Sequence, residues 1–345
     1  MSSPVVQTVP LGFQWPTVDP FLFCVHHLDH YPAGNADLSP VAPLDGRPIG
    51  NDFEGIDGWR MYHGSTVPGF PVHPHRGFET ITFVRQGLID HADSMGAAAR
   101  YGRGDVQWMT AGKGIQHAEM FPLLDRDGPN TAELFQIWIN LPAADKMVEP
   151  HFTMLWDQDI PRHVVTDMQG RTAEITVIAG TLAGHEPPAP PPSSWASRPE
   201  ADVALWHVVL DAGASWTMPT AAFDDSVRVL YVFDGDGLTI HNPAGEGETV
   251  GNSTGVVVDA QQAVTLTASA HTEVLVMQAR PIGESVAQQG PFVMNTHDEI
   301  LEAFADYRRT QFGGWPWDRD DPTHGATGGR FARHADGRVE EAVAV

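Results

Sequence analysis

Prolines and glycines punctuate this chain so closely that few segments are long enough for a helix. The 28 prolines and 34 glycines are spread along all 345 residues. Proline breaks helices and central ladders, and glycine marks turns, so the chain reads as many short strands joined by turns. The segments between the breaks agree. Glu79–Gly87, Ala132–Leu141, Ala201–Leu210, Ser226–Gly235, Val264–Ala268 and Thr272–Ala279 are rich in β-branched and aromatic residues, and several alternate apolar with polar. They are predicted strands. Only Asn295–Gln311 predicts a helix. It has Asn or Thr as cap, acids in its first turn, Ile300, Leu301, Phe304 and Tyr307 on one face, and Arg308 and Arg309 at its end.

Two similar β units follow one another. Each has strands, glycine-bounded turns and a hairpin, "VRQGLIDHADSMG" in the first and "VFDGDGLTIHNPAGEG" in the second. The expectation is an all-β protein of two tandem barrels or sandwiches with a C-terminal helix, and the length suits two domains. Five prolines between Pro187 and Pro192 mark a polyproline-like surface loop. From Gly313 onward the sequence is polar and glycine-rich, which predicts an extended tail packed through Trp315 and Trp317.

The formal charge is −24, from 44 acidic and 20 basic residues, and only Lys113 and Lys146 are lysines. Such a surface repels phosphate backbones and anionic lipid, so no direct nucleic-acid partner and no membrane is expected. The single cysteine, Cys24, excludes an intrachain disulfide and is expected as a buried thiol. The start lacks a basic segment followed by an apolar core, and no apolar run reaches the roughly 20 residues of a membrane span. A cytoplasmic location is expected.

Two short stretches carry the chemistry. In "PVHPHRGFET" (Pro71–Thr80), His73 and His75 flank Pro74, and in "GIQHAEM" (Gly114–Met120), His117 and Glu119 repeat the same spacing. Residues i and i+2 of a strand point to one side. Pro74 fixes its own backbone and extends the residue before it, so two imidazoles are held side by side. Because Pro74 has no N–H, this strand is expected at a sheet edge or rim. Brought together, the stretches offer three imidazoles and one carboxylate. That set suits a divalent first-row metal such as Fe, Mn, Co, Ni, Cu or Zn, and the absence of sulfur argues against a structural zinc knot. Four protein ligands on an octahedral ion leave two positions open for substrate or O2. If the strand ran on regularly, Glu79 would share the face of His73 and His75, so parity alone leaves Glu79 open as a ligand beside Glu119. His26, His27 and His30 are expected as ordinary surface or interface histidines, and His91 as structural or at the rim of the site.

"HPHRGFETITFVRQG" and "GDVQWMTAGKGIQHAEM" resemble the two metal-binding motifs of the cupin superfamily. With "QQGPFVMNTHDEI" (Gln288–Ile300) they resemble the pirin family, over roughly Val18 to Gln311. The stretch from Asn35 to Trp59 is longer than that family needs, and the residues after Gly313 lie outside the likeness. The resemblance implies two tandem cupin (double-stranded β-helix, jelly-roll) barrels. A metal-binding barrel is expected over 1–155, a C-terminal barrel without a metal site over 156–312 and the extended tail over 313–345.

The same resemblance implies that Fe(II) is held by His73, His75, His117 and Glu119, with Glu79 outside the ligand set. It implies quercetin 2,3-dioxygenase activity, with a small aromatic or enol substrate and O2, and with Glu119 or Glu79 taking the substrate's phenolic proton. It also leaves open an iron-dependent redox-sensing regulatory protein that acts through protein–protein contacts without turnover. A monomer is expected.

Overall fold

The computed structural model describes residues 3–326 and 329–343. Expectations resting on residues 1–2 and on 327–328 and 344–345 of the tail lie outside the described residues. No helix among the described residues is long and apolar enough to cross a membrane.

The chain forms two compact units that exchange their ends. One comprises Met1–Val25 and Asp159–Gly283, the other His26–Gln158 and Glu284–Val345. The boundaries expected at 155 and 312 follow the chain in order and so differ from these units. Strand pairing is the cause: Val5–Pro10 finds its antiparallel partner in Thr254–Val258, a pairing that no local pattern announces.

The unit carrying the paired histidines has two main sheets. The five-stranded sheet runs His151–Leu155, Val106–Thr110, Phe78–Gln86, Asn130–Asn140 and Phe21–Tyr31, the last belonging to this unit from His26 on. The six-stranded sheet runs Val339–Glu341, Phe331–Arg333, Ala98–Gly102, Leu88–Asp93, Ile115–Met120 and Gly69–His75. The Pro74 strand is therefore an edge strand, as its missing N–H requires. Side chains from both sheets, including Val84, Ile89, Tyr101, Met109, Leu134 and Phe152, form one buried cluster. Burying each large apolar side chain contributes about 1.5–3 kcal/mol.

Two expectations are corrected here. The region after Gly313 is not an extended tail alone, because Phe331–Arg333 pairs with Ala98–Gly102 and Val339–Glu341 pairs with Phe331–Arg333. Strands of three residues are too short to leave an alternation that a sequence reading can detect. The helix, His297–Thr310, is capped by Thr296, whose hydroxyl accepts from the Glu299 N–H while the Glu299 carboxylate accepts from the Thr296 N–H. Its inner face is Ile300, Ala303, Phe304 and Tyr307, and Leu301 is exposed. That inner set follows the i, i+3, i+4, i+7 spacing, which Leu301 does not fit.

In the other unit a seven-stranded sheet ordered Val5–Pro10, Thr254–Val258, Val227–Asp234, Thr272–Ala279, Ala204–Leu210, Thr172–Ala179 and Arg162–Thr166 accompanies a four-stranded one. Residues of both, among them Trp206, Trp216, Leu230, Ile240, Leu266 and Val276, fill its core. Cys24 is fully buried, and burial pushes its thiol pKa up. The proline run is irregular and leads into short 3-10 turns at Trp195–Ser197 and Pro199–Ala201.

Candidate metal centre

Strand register brings the two histidine motifs together. His73 stands directly across from His117, and Asp93 stands across from His117 on its other side. One rung on, Glu119 lies between Phe70 and His91. Directly opposed residues share a face, so these side chains project to the same side of the six-stranded sheet. The register of Gly69–His75 shifts between Phe70 and His73, and this irregularity sets His73 on the rung of His117.

After His75 the chain turns a corner. Gly77 adopts φ +86, and a Cβ there would lie 1.9 Å from the carbonyl oxygen of Val293. The buried Lys146 ammonium donates to the carbonyls of Gly77 and Val293 and to Asn140 Oδ1, which pins the corner. Phe78 then begins a strand of the other sheet, so the regular strand that would place Glu79 beside His75 does not exist. Within Phe78–Gln86, alternation sets Glu79 on the face opposite Thr80 and Thr82, where it accepts the Thr110 hydroxyl at 2.6 Å.

The ligand-capable nitrogens of His73, His75 and His117 all lie within 4.8 Å of one another. Their ring centroids are 4.4 to 5.0 Å apart. The Pro71 carbonyl accepts from His73 Nδ1 at 2.8 Å, which fixes the proton on Nδ1 and leaves the lone pair on Nε2. His117 is fully buried, and neither of its ring nitrogens has a hydrogen-bond partner; His75 Nδ1 is likewise unpartnered. An unsatisfied buried polar group costs roughly 1–3 kcal/mol. Unpartnered nitrogens on two of three imidazoles that lie this close together fit a bound cation.

Glu119 stands on the next rung, outside the group of three mutually close imidazoles. Its Oε1 lies 3.1 Å from the Thr82 hydroxyl and 3.3 Å from the Tyr101 hydroxyl, both placed to donate. Its Oε2 lies 3.8 Å from His117 Nε2. One oxygen is thus held by protein donors and the other faces the imidazoles. Burial raises the Glu119 pKa, against the opposing effects of His91, Thr82 and Tyr101. Burial pulls His73 down to about 4 and His75 and His117 well below their ordinary value. Neutral imidazoles are the form that ligates a metal, so at neutral pH no proton need leave these rings.

Sequence reasoning missed the residues that hold this set in place. Thr82, Gln136 and Gln107 sit on one rung of the five-stranded sheet, and Thr82 Oγ1 is 2.7 Å from Gln136 Oε1. Polar residues at alternate positions of otherwise apolar strands were the available signal. His91, which the sequence did single out as structural or at the rim, is fully buried, with Nε2 3.3 Å from Asp93 Oδ2 and its ring 5.5 Å from that of His117. Phe78 and Trp138, with ring centroids 4.4 Å apart, form an aromatic wall beside His75.

Of the other histidines, His30 is exposed as expected and His26 pairs with Glu133 at 2.9 Å. His27 is buried rather than superficial. It donates from Nδ1 to the Tyr62 hydroxyl at 2.8 Å, and that hydroxyl donates to Asp29 Oδ2 at 2.6 Å.

Two family models match the chain, Pirin over residues 52–139 and the Pirin C-terminal cupin domain over 205–313. A Pseudomonas aeruginosa protein named "Putative quercetin 2,3-dioxygenase" is 36% identical over 246 residues, covering 71% of this chain and 79% of its own length. Pirin of Rattus norvegicus is 33% identical over 265 residues, covering 73% of this chain and 80% of its own length. A crystal structure of quercetin 2,3-dioxygenase from Acinetobacter baumannii superposes with a TM-score of 0.69 at 25% identity, covering 91% of this chain and 99% of that one.

Proposed function

The chain belongs to the pirin family, and from that premise we propose that it is an iron-dependent dioxygenase that opens flavonol-like enol or catechol compounds such as quercetin. The observation that carries this reading is the convergence of His73, His75 and His117 beside the Glu119 carboxylate, with buried ring nitrogens left without protein partners. These four residues would hold the metal. When bound, Fe(II) supplies a Lewis acid for a substrate enolate oxygen and a site for O2.

The protein's own residues do the rest. Glu119 would take the substrate's phenolic proton on Oε2 when that oxygen is off the metal, its Oε1 being held by protein donors. Thr82 and Tyr101 hold the carboxylate in place as it does so, and burial keeps Tyr101 in its protonated, donating form. Phe78 and Trp138 offer an apolar flat surface to an aromatic substrate. Glu79 keeps a structural role on the opposite face, bonded to Thr110.

Oxygen uptake by metal-free protein reloaded with Fe(II) and supplied with quercetin tests the proposal. The expected result is consumption of O2 and quercetin in about equal amounts, abolished by chelation. Stoichiometric iron with no uptake on quercetin or simpler catechols would overturn the enzymatic reading in favour of a regulatory protein acting through a protein partner.

A further inference from the structure

The other unit carries a second gathering of metal-capable side chains, on the face of its seven-stranded sheet turned away from the core. Val208 and Val274 point into that core. Their neighbours His207 and Glu273, on adjacent strands, therefore point outward. Asp234 ends the next strand and pairs directly with Glu273, because a register shift between Val232 and Asp234 reverses the alternation there. His271 lies two residues before Glu273 in the preceding turn.

The two turns meet closely. Gly235 has φ +88, and a Cβ there would lie 2.1 Å from the His271 carbonyl oxygen, so a side chain at this position would force the turns apart. As folded, the ligand atoms of Asp234, His271 and Glu273 all lie within 4.8 Å of one another. His271 Nε2 is 3.5 Å from Glu273 Oε1. His207 Nε2 donates to Glu273 Oε2 at 2.7 Å, and Asp234 Oδ1 accepts the Gly235 N–H at 2.9 Å.

We propose that Asp234, His271 and Glu273 form a surface site for a divalent cation of the zinc type, with His207 as the positioning residue that orients the Glu273 carboxylate. Two carboxylates and an imidazole form a mixed oxygen and nitrogen set suited to such an ion, and a ligating carboxylate is commonly hydrogen-bonded from behind, as Glu273 is by His207. The carboxylates of Asp234 and Glu273 repel each other at this separation, and a cation turns that repulsion into attraction. The −24 charge of the protein raises the local concentration of cations at its surface. The proposal departs from the expectation of a metal-free C-terminal barrel. That expectation came with the family resemblance, whereas these groups come from two turns and a bulge. It is independent of the proposed dioxygenase.

Zinc chloride titrated calorimetrically into metal-free protein carrying His75→Ala and His117→Ala tests it with the first centre silenced. About one zinc per chain is expected, with His271→Ala or Asp234→Asn abolishing binding and His207→Gln weakening it about 10–100-fold. Asp234 and His271 are exposed, so neither substitution threatens the fold. The same titration of metal-free wild-type protein should show one further equivalent. No uptake at about a hundred micromolar zinc, a level that detects even weak carboxylate sites, would overturn the proposal, and so would binding that survives both His271→Ala and Asp234→Asn.

Discussion

His75→Ala is expected to empty the metal centre while leaving the protein folded. Removing one of three converging imidazoles should cost more than the roughly 10–100-fold in affinity typical of residues that merely support a ligand. Iron measured by elemental analysis should fall from about one per chain to a small fraction of that. The fold should survive because its stability comes from elsewhere. Both sheets of this unit contribute to one buried apolar cluster, and deleting a buried side chain costs about 2–5 kcal/mol at most sites. The variant also removes His75 Nδ1, a buried nitrogen with no protein partner, and this offsets part of that loss. Circular dichroism and a cooperative thermal transition read the fold. An unfolded variant, or one still fully loaded with iron, would contradict this account.

Arg330→Ala is expected to destabilise the protein by about 3–5 kcal/mol without changing its iron content. Arg330 comes from the segment after Gly313, beyond the residues the family models match. Its guanidinium donates to Asp105 Oδ1 at 2.6 Å, and both side chains are buried. Burial raises the Asp105 pKa, while backbone donors from Gly102 and Asp157 and the charge of Arg330 oppose the rise. Without Arg330 the carboxylate remains buried with only backbone partners, so it must stay charged at a cost or take up a proton. Urea unfolding of the wild type and the variant measures the loss, and Asp105→Asn combined with Arg330→Met should recover part of it. A change below about 0.5 kcal/mol would mean that this segment only rests on the sheet.

These two sites show what could be read from the sequence and what could not. His-Pro-His and His-Ala-Glu announced themselves because ligand spacing on a strand is local: two residues apart means one face. The capped helix was legible for the same reason, through Thr296 and Glu299. The position of Glu79 was not, because it depends on a corner at Gly77 held by Lys146, Val293 and Gly112, all distant in sequence. The supporting residues Thr82 and Tyr101 were missed because each reaches the site only through cross-strand register. The same holds for the segment from Phe331 to Glu341. Its three-residue strands carry no periodicity, and only the edge offered by Ala98–Gly102 makes them strands.

X-ray absorption at the edge of the first-row metal that copurifies with the protein tests the central claim most directly. The account predicts an innermost shell of nitrogen and oxygen only, with the outer scattering of about three imidazoles, and loss of that pattern in His117→Ala. A shell containing sulfur, or an imidazole signal unchanged in His117→Ala, would place the metal elsewhere and contradict it.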